Sequence, residues 1–339
     1  MDNTIEDGVD KRVALAISGI GGARRARLLE RLGGGEKLRS LSEHLSSGEL
    51  RRGGDILERC AVLSIKVITF ADLQYPAALR AIPLPPAALF IRARRDEIEI
   101  PEDIIGVVGT RDASVEMCQQ ASSLAAHLAR AGFCVVSGLA LGVDGAAHRG
   151  ALLAGRKTST IAVVAHGLNA TYPPSHEPLA ENILEGGGMI ISEYPPGSEP
   201  LKHHFLERNR IIAGLARGLV VVQAGERSGS LVTARYAADY GRDVFVFEGP
   251  HGDTRHTGGE RLIEDGAIAI SGAREILEEY HVTSQDEGEA LTSSSERWET
   301  LALDQYLERT KHSPSVMLRL EMEGRVVRLP GNRVSVLLE

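Results

Sequence analysis

Between residues 103 and 280, short apolar runs alternate with segments that have a helical pattern. Seven runs rich in valine and isoleucine occur there: IIGVVGT, FCVVSG, TIAVVAHG, GMIISEY, GLVVVQAG, DVFVFEG and AIAI. Continuous apolar runs of this length are typical of parallel strands that are buried on both faces of a sheet. The alternation predicts an α/β fold: a doubly wound, mostly parallel sheet that binds ligands at the carboxyl ends of its strands.

The rest of the sequence divides into four parts around this core. Residues 1–60 predict a small helical domain of the SAM or helix-hairpin-helix type, in which a Gly-Ile-Gly-Gly turn separates two helices. Residues 61–102 contain prolines at positions 83, 85 and 86, which exclude a continuous helix and favour an extended connecting arm. Residues 281–298 are polar and predict a linker. Residues 299–339 have the helix, turn, helix and two-strand pattern of a winged helix.

Composition limits how the surface as a whole attracts ligands. The chain has 339 residues, a formal net charge of −8 and an aromatic content of 4%. An acidic protein does not attract nucleic acid through its overall field, so a nucleic-acid site has to be a local basic patch. The scarcity of aromatic residues also limits stacking on bases.

The cysteines and the hydropathy pattern bear on location and metal binding. Cys60, Cys118 and Cys134 have no CxxC spacing and lie in apolar surroundings, which is typical of buried, reduced thiols. The histidines lack the spacing of a zinc site, so neither a metal nor a cofactor is expected. No apolar run approaches the length of a membrane span, and the N-terminus lacks a signal-peptide core. The expected location is the cytoplasm, with no membrane partner.

Two strand ends carry the residues of an anion site. The first strand ends in Gly109, Thr110 and Arg111, and Ser114 has the position of an N-cap for the following helix. Backbone N–H groups at a glycine corner, a helix N-terminus and an arginine fork together bind phosphate. The second strand ends in Ser137 and Gly138, at the same edge of the predicted sheet.

A second cationic segment runs from Phe205 to Arg242. Arg208, Asn209 and Arg210 lie just inside a helix that is predicted to begin near Phe205. Ser228, Gly229 and Ser230 form a turn that opens the next helix, near Ser230. The segment contains six arginines, at positions 208, 210, 217, 227, 235 and 242, against three acids, Glu207, Glu226 and Asp239. This local excess of positive charge favours a polyanion ligand. The alternative is structural, with Arg208 and Arg210 paired to acids such as Glu207.

Motifs for other chemistry are absent or weak. Neither the G-x-G-x-x-G spacing of dinucleotide sites nor the Walker sequence GxxxxGK[ST] occurs. Asp144 and His148 lie four residues apart on one helix face and form a possible acid–base pair, although a structural role is commoner. Glu193 closes a strand and is a candidate general base without an evident partner acid. No enzymatic activity is expected.

Five motifs occur in the order GTRDAS, SGLALGVDGAAH, FLERNRIIAGLA, SGSLVTA and LIEDGA. With them the chain closely resembles the DNA-processing protein A (DprA, also called Smf) family over residues 65–272. The resemblance implies a Rossmann-like protein that binds single-stranded DNA and loads the RecA recombinase onto it during natural transformation. It also implies a homodimer and no covalent step.

The resemblance places the strand-binding groove on the matching motifs. The implied lining comprises residues of the glycine corner, the Ser-Gly corner, the RNR helix and the SGS turn: Gly109, Thr110, Arg111, Ser114, Ser137, Gly138, Arg208, Asn209, Arg210, Arg227, Ser228, Gly229, Ser230 and Thr233. Phe205 is the expected stacking platform. Arg111 and Arg210 are each expected to contribute one phosphate contact.

Departures from the family pattern keep alternatives open. Leu141 replaces a usual arginine, Gln223 a usual glutamate, and Glu248 lies where a Val-Pro-Gly sequence is usual. A divergent homologue without RecA loading is one alternative. A nucleotide phosphoribohydrolase of the LOG type is another, although its PGGxGTxxE motif is absent. A third is a duplex-binding regulator that works through the C-terminal winged helix, whose predicted recognition segment offers Arg319 against Glu321 and Glu323.

Overall fold

A computed structural model describes residues 2–249, 253–282 and 298–311, together with residues 316, 317, 320, 326–329 and 333–337. Its main feature is a nine-stranded sheet in the first two of these ranges. The strands are β1 (Lys66–Thr69), β2 (Ala88–Arg92), β3 (Ile104–Val108), β4 (Cys134–Ser137), β5 (Thr160–Val164), β6 (Met189–Ser192), β7 (Gly218–Val221), β8 (Asp243–Phe247) and β9 (Ile268–Ile270). The predicted α/β class is confirmed, and each of the seven apolar runs contains one strand, β3 to β9.

The strand order is β1-β2-β6-β5-β4-β3-β7-β8-β9. The strands from β6 to β9 in this order pair in parallel, whereas β1 and β2 extend the sheet in antiparallel pairing. From β3 the chain moves outward to β6, and it then returns to β7 on the other side of β3. The carboxyl ends of β3 and β7 therefore form the topological switch point, where doubly wound sheets bind ligands.

Helices cover both faces of the sheet. In chain order they are α1 (Asp2–Ser18), α2 (Gly22–Gly33), α3 (Leu38–Leu41), α4 (Ser47–Val62), α5 (Ala77–Arg80), α6 (Val115–Arg130), α7 (Val143–Leu152), α8 (Glu177–Glu185), α9 (Lys202–Leu215), α10 (Ser230–Asp239), α11 (Thr257–Glu264) and α12 (Ala273–Glu279). Each face of the sheet has its own hydrophobic core, and successive strand residues point to opposite cores. Val107 packs with α6, α7 and α12 on one face, whereas Val108 packs with α9 and α10 on the other. None of the helices in the described residues is long and apolar enough to cross a membrane.

Two predicted parts of the chain are integrated into the main sheet. The segment 61–102, expected as a connecting arm, contributes β1, α5 and β2, so its apolar runs pair with the sheet instead of lying along it. The helices α1 to α4 share a hydrophobic core with the sheet, in which Leu15 and Leu32 pack with Phe90 and Val164. The Gly-rich turn between α1 and α2 occurs as predicted. The N-terminal helices thus cover one face of the sheet.

The C-terminal residues form a second, smaller sheet. Its strands are β10 (Trp298–Ala302), β11 (Val326–Leu329) and β12 (Arg333–Leu337), in the order β10-β12-β11, with α13 (Leu303–Thr310) after β10. Tyr306, Met317, Val326 and Val334 form its buried core. β11 and β12 pair where a wing was predicted, but β10 was not expected. The predicted turn at residues 330–332 and most of the predicted linker lie outside the described residues, and the winged helix stays a prediction.

Close packing of α6 on α7 depends on Gly150. A Cβ at this position would lie 1.9 Å from the carbonyl oxygen of Ser122, a backbone atom that cannot rotate away. We expect Gly150→Ala to lower the free energy of unfolding by about 1–3 kcal/mol through overpacking. Gly54→Ala in α4 is the matched control, because a Cβ there meets nothing within 4 Å and should stabilise the helix by about 0.5–1 kcal/mol. Urea unfolding of both variants measures the contrast, and equal stabilities would contradict it.

Candidate nucleic-acid interface

The loop after β3 brings three predicted site residues to the carboxyl edge of the sheet. Gly109 has no room for a side chain, because a Cβ there would lie 2.5 Å from Cγ2 of Val143. The backbone N–H of Thr110 donates to the carbonyl oxygen of Gln223 at 2.7 Å, which fixes the loop against the end of β7. Arg111 follows with an exposed side chain. The corner is therefore rigid at its base and cationic at its surface.

Ser114 begins α6 as predicted. Its hydroxyl accepts a hydrogen bond from the backbone N–H of Met117 at 3.2 Å, which is the N-cap interaction. The backbone N–H of Ser114 itself donates to Oε1 of Gln223 at 3.1 Å. This N–H is therefore engaged within the protein. Ser114 contributes the position of the helix N-terminus and its positive dipole end rather than a free donor.

An aromatic platform, formed by Arg111, Tyr172 and Phe205, lies beside this corner. The guanidinium of Arg111 lies over the ring of Phe205, 4.8 Å from the ring centroid. The centroids of the Tyr172 and Phe205 rings are 5.8 Å apart, and 41% of Tyr172 is exposed. A cation can contact a phosphate while neighbouring rings stack on bases, so the platform offers both kinds of contact.

Arg208 lies beneath the surface, where it holds the end of β4. Its Nη1 donates to the carbonyl oxygen of Gly138 at 2.9 Å and to that of Val163. Gly138 has to be glycine, because a Cβ there would lie 2.4 Å from Nη1 of Arg208 and 2.6 Å from Oδ2 of Asp144. Burial lowers the pKa of Arg208 to about 10, so the guanidinium stays charged at neutral pH. Arg208 is 4% exposed and positions the Ser-Gly corner instead of presenting its charge.

Arg210 is likewise buried, which corrects the expected phosphate contact at this residue. Its Nη2 donates to Oε1 of Glu193, and the side chains are 4% and 1% exposed, respectively. The structural alternative for the RNR triplet therefore holds for Arg210, with Glu193 instead of Glu207 as its acid, whereas Arg208 donates to backbone carbonyls. Glu207 pairs with Arg25 of α2, whose guanidinium also lies 5.0 Å from the centroid of the Tyr194 ring. The N-terminal helices thereby contact the start of α9.

The SGS turn after β7 is joined to α9. Nδ2 of Asn209 donates to the carbonyl oxygen of Gly229 at 3.2 Å, so the middle residue of the RNR triplet holds the turn. The hydroxyl groups of Ser228 and Ser230 are hydrogen-bonded to each other at 2.7 Å. Gly229 precedes α10 without a side-chain cap. Thr233 is buried one turn into α10.

The predicted site residues thus fall into three groups by exposure. Exposed residues are Arg111, Arg227 and Gly229. Partly buried residues are Gly109, Thr110, Ser114, Phe205 and Ser228. Buried residues are Ser137, Gly138, Arg208, Asn209, Arg210, Ser230 and Thr233. The first two groups surround the ends of β3 and β7 and the start of α9, whereas the third holds these elements in place.

Comparison with known proteins shows the family of the chain. The family model for DNA recombination-mediator protein A matches residues 66–281, from β1 to the end of the main sheet domain. The chain belongs to this family. Protein Smf of Escherichia coli is 40% identical over 204 residues, which cover 60% of this chain and 54% of that protein. DNA processing protein DprA of Bacillus subtilis is 40% identical over 215 residues, covering 63% of this chain and 71% of that protein.

Two solved structures of the family are also similar. The structure of DNA processing protein A from Streptococcus pneumoniae has a TM-score of 0.64 and 34% identity, covering 78% of this chain and 95% of that chain. The structure from Helicobacter pylori, which concerns the single-stranded DNA binding mode of that protein, has a TM-score of 0.56 and 28% identity. It covers 64% of this chain and 96% of that chain. The fold of this DprA-family chain is thus shared by both structures.

In this DprA-family chain the candidate catalytic groups are engaged in structural contacts. His148 donates from Nδ1 to Oγ1 of Thr160 at 2.7 Å, since the threonine hydroxyl itself donates to the carbonyl oxygen of Val135. Asp144 instead accepts from the backbone N–H groups of Gly138 and Ala140. Glu193 is paired with Arg210. The described residues contain no group of three or more side chains that could hold a metal ion.

Two features of the candidate site were not predicted. Gln223, noted only as a departure, accepts from Ser114 and donates from Nε2 to Oδ2 of Asp253 at 3.0 Å. A glutamate there would place a second carboxylate against Asp253, so the amide suits this neighbour. Tyr172 was missed as part of the platform. The available signal was an aromatic residue in the loop after a buried parallel strand, at the edge where ligands bind.

Proposed function

We propose that this protein binds single-stranded DNA at the carboxyl edge of the main sheet. The observation that carries the proposal is the aromatic platform, in which the exposed Arg111 lies over Phe205 beside the exposed ring of Tyr172. A guanidinium binds a backbone phosphate, and the rings stack on bases that are free of a partner strand. The closely packed corners at Gly109 and Gly138 end the neighbouring strands β3 and β4 at the same edge of the sheet.

The preference for a single strand follows from the same contacts. In a duplex the base faces are stacked and out of reach of aromatic side chains, so only phosphate contacts would remain. With a net charge of −8, the protein offers little of the general attraction on which non-specific duplex binding depends. Membership of the recombination-mediator family and the single-stranded DNA binding of the Helicobacter pylori relative support the proposal.

Salt-dependent fluorescence anisotropy with labelled oligo-dT tests the proposal. We expect Arg111→Ala to weaken binding and to reduce the slope of log K against log salt by roughly 0.7, the value for one lost phosphate contact on a single strand. Arg130→Ala is the matched control, because Arg130 is exposed at the end of α6, at the opposite edge of the sheet. It should leave the slope unchanged.

Phe205→Leu separates stacking from charge. We expect it to weaken binding by about 1–3 kcal/mol, the stacking energy of one base, with the salt slope unchanged. A matched duplex should bind more weakly than oligo-dT and should be insensitive to Phe205→Leu. Equal binding of the duplex, or wild-type affinity and slope in both Arg111→Ala and Phe205→Leu, would refute the proposed site.

We further propose that the bound strand is delivered to RecA recombinase, that the protein acts as a cytoplasmic homodimer, and that it catalyses no covalent step. Support comes from the family description as a recombination mediator and from the engagement of Asp144, His148 and Glu193 in structural contacts. The rate of RecA assembly on single-stranded DNA, with and without the protein, tests delivery. An unchanged rate would identify a divergent family member that binds the strand without loading RecA.

A further inference from the structure

A cavity lies at the amino edge of the sheet, opposite the proposed DNA site. It has a volume of about 260 Å³ and is bordered by residues at the amino ends of β3, β4 and β5, among them Pro101, Cys134 and Ser159. β4 connects the two edges, since Cys134 borders this cavity and Ser137 ends the strand beside the Ser-Gly corner. Cys134 and Ser137 are three residues apart on this strand, which corresponds to about 10 Å. The cavity is therefore distinct from the proposed DNA site.

The cavity is lined by three cations and one acid: Arg95, Arg156, Lys157 and Glu99. Within the described ranges, none of these three cations has a carboxylate within ion-pair distance. Arg156 is held by a hydrogen bond from Nη1 to the carbonyl oxygen of Arg130 at 3.2 Å. Arg95 is held by Nη2, which donates to Oγ1 of Thr158 and to the carbonyl oxygen of Gly187. Two guanidinium groups are thus positioned at the cavity without neutralising partners.

A buried hydroxyl in the same wall lacks a hydrogen-bond partner. Ser159 is 3% exposed, and its Oγ has no partner within the part of the chain that the structure describes. Buried hydroxyl groups are almost always hydrogen-bonded, so an orphan at a cavity wall indicates a group that binds there. The preceding residue, Thr158, has a φ of 58°, which is unusual for a β-branched residue and typical of positions held for a function.

We propose that this cavity binds a phosphate monoester. The lining carries a net charge of +2, which matches the two negative charges of a monoester near neutral pH better than the single charge of a carboxylate or a diester. Guanidinium and ammonium groups together with a hydroxyl are the usual donors to phosphate oxygens. The volume lies below the ~300–1,000 Å³ of pockets that enclose drug-sized ligands, so the cavity admits one phosphate with little beyond its sugar.

Calorimetric titration of the full chain with thymidine monophosphate, thymidine and inorganic phosphate tests the proposal. We expect the monophosphate to bind, inorganic phosphate to compete with it, and thymidine to bind at least tenfold more weakly. Arg156→Ala/Lys157→Ala should weaken monophosphate binding at least tenfold. Both residues are exposed, so the fold should survive, and circular dichroism verifies this. Glu99→Gln should strengthen binding, because it removes the one acid in the wall.

Arg111→Ala locates the binding, because it removes the cation at the opposite edge. Monophosphate affinity should be unchanged in this variant, while unphosphorylated oligo-dT should still bind to Arg156→Ala/Lys157→Ala as to wild type. Failure of the DNA site and failure of the phosphate site would therefore be distinguishable, because each variant removes only one of them. Equal binding of thymidine and its monophosphate, wild-type affinity in the double variant, or loss of monophosphate binding in Arg111→Ala would overturn the proposal.

The monoester has two possible sources, a free nucleotide or the phosphorylated end of a DNA strand. Comparison of 5′-phosphorylated with unphosphorylated oligo-dT distinguishes them. A gain from the terminal phosphate that disappears in Arg156→Ala/Lys157→Ala supports a DNA end. Binding of thymidine monophosphate without such a gain supports a free nucleotide. Absence of both effects would overturn the proposal.

Discussion

Glu193→Gln is expected to lower the free energy of unfolding by about 3–5 kcal/mol, because it leaves the buried guanidinium of Arg210 without its counter-charge. The two side chains are 1% and 4% exposed, so water cannot replace the lost carboxylate. Oε2 of Glu193 and Nη1 of Arg210 already lack partners among the described residues, so no other group is positioned to compensate. Urea unfolding at neutral pH measures the loss.

The double variant Glu193→Gln/Arg210→Met is the control for this prediction. Arg210→Met alone should also be strongly destabilising, because it leaves the carboxylate buried and unpaired. With both charges removed, the cost should be smaller than the sum of the two single costs by about 0.5–3 kcal/mol, the range for residues in direct contact. Strict additivity of the two single variants would contradict a coupled buried pair.

DNA binding by Arg210→Met distinguishes the buried arginine from the exposed one. Below its unfolding temperature, the variant should keep the wild-type salt slope with oligo-dT, because Arg210 is 3% exposed and paired with Glu193. Arg111→Ala should change that slope. A slope reduced by one contact in Arg210→Met would restore the phosphate contact that the sequence pattern predicts.

Much of the main sheet could be predicted from the sequence, because the relevant signals are local. Each run of apolar residues between 103 and 280 contains a strand, and the helices predicted to begin near Phe205 and Ser230 begin at Lys202 and Ser230. Ser114 caps α6, and Val115 is the first helical residue. The loops at the carboxyl ends followed from the order of strands and helices alone.

What could not be predicted depends on contacts between residues distant in sequence. Arg208 is buried against Gly138, 70 residues away, and Glu193 and Arg210 meet only because β6 ends beneath α9. A local count of arginines cannot separate such buried groups from an exposed one such as Arg111. The run AVLSIKVITF predicts a strand and contains β1, but the antiparallel pairing of β1 and β2 at the sheet edge was missed, because pairing between segments leaves no periodic signal in either one. The site therefore presents fewer positive charges at its surface than its number of arginines suggests.

Acid is expected to destabilise this protein partly through His148. Burial, together with the positive charge of the neighbouring His176, Arg149 and Arg208, lowers the pKa of its imidazole from 6.5 to about 3. Below pH 6.5 the unfolded chain binds a proton that the folded chain does not bind. The stability associated with neutral His148 is therefore complete above pH 6.5 and decreases as the pH falls towards 3. The expected loss is about 1.4 kcal/mol per pH unit, or about 3 kcal/mol between pH 6 and pH 4.

His148→Gln isolates this contribution, because its amide can still donate to Thr160 while it takes up no proton. Urea unfolding at pH 6, 5 and 4 should show a shallower loss of stability in His148→Gln than in wild type, by about 1.4 kcal/mol per pH unit. His44→Gln is the matched control, since His44 is exposed. The pH profile of this variant should follow that of wild type.

His166 and His256 are also buried, and burial lowers the pKa of each. The total loss of stability of wild type in acid should therefore exceed the contribution of His148 alone. Parallel profiles for wild type and His148→Gln would contradict this prediction, because they would mean that the folded protein accepts a proton at His148. The ring is buried in α7 and hydrogen-bonded to Thr160 of β5, so we expect it to stay neutral.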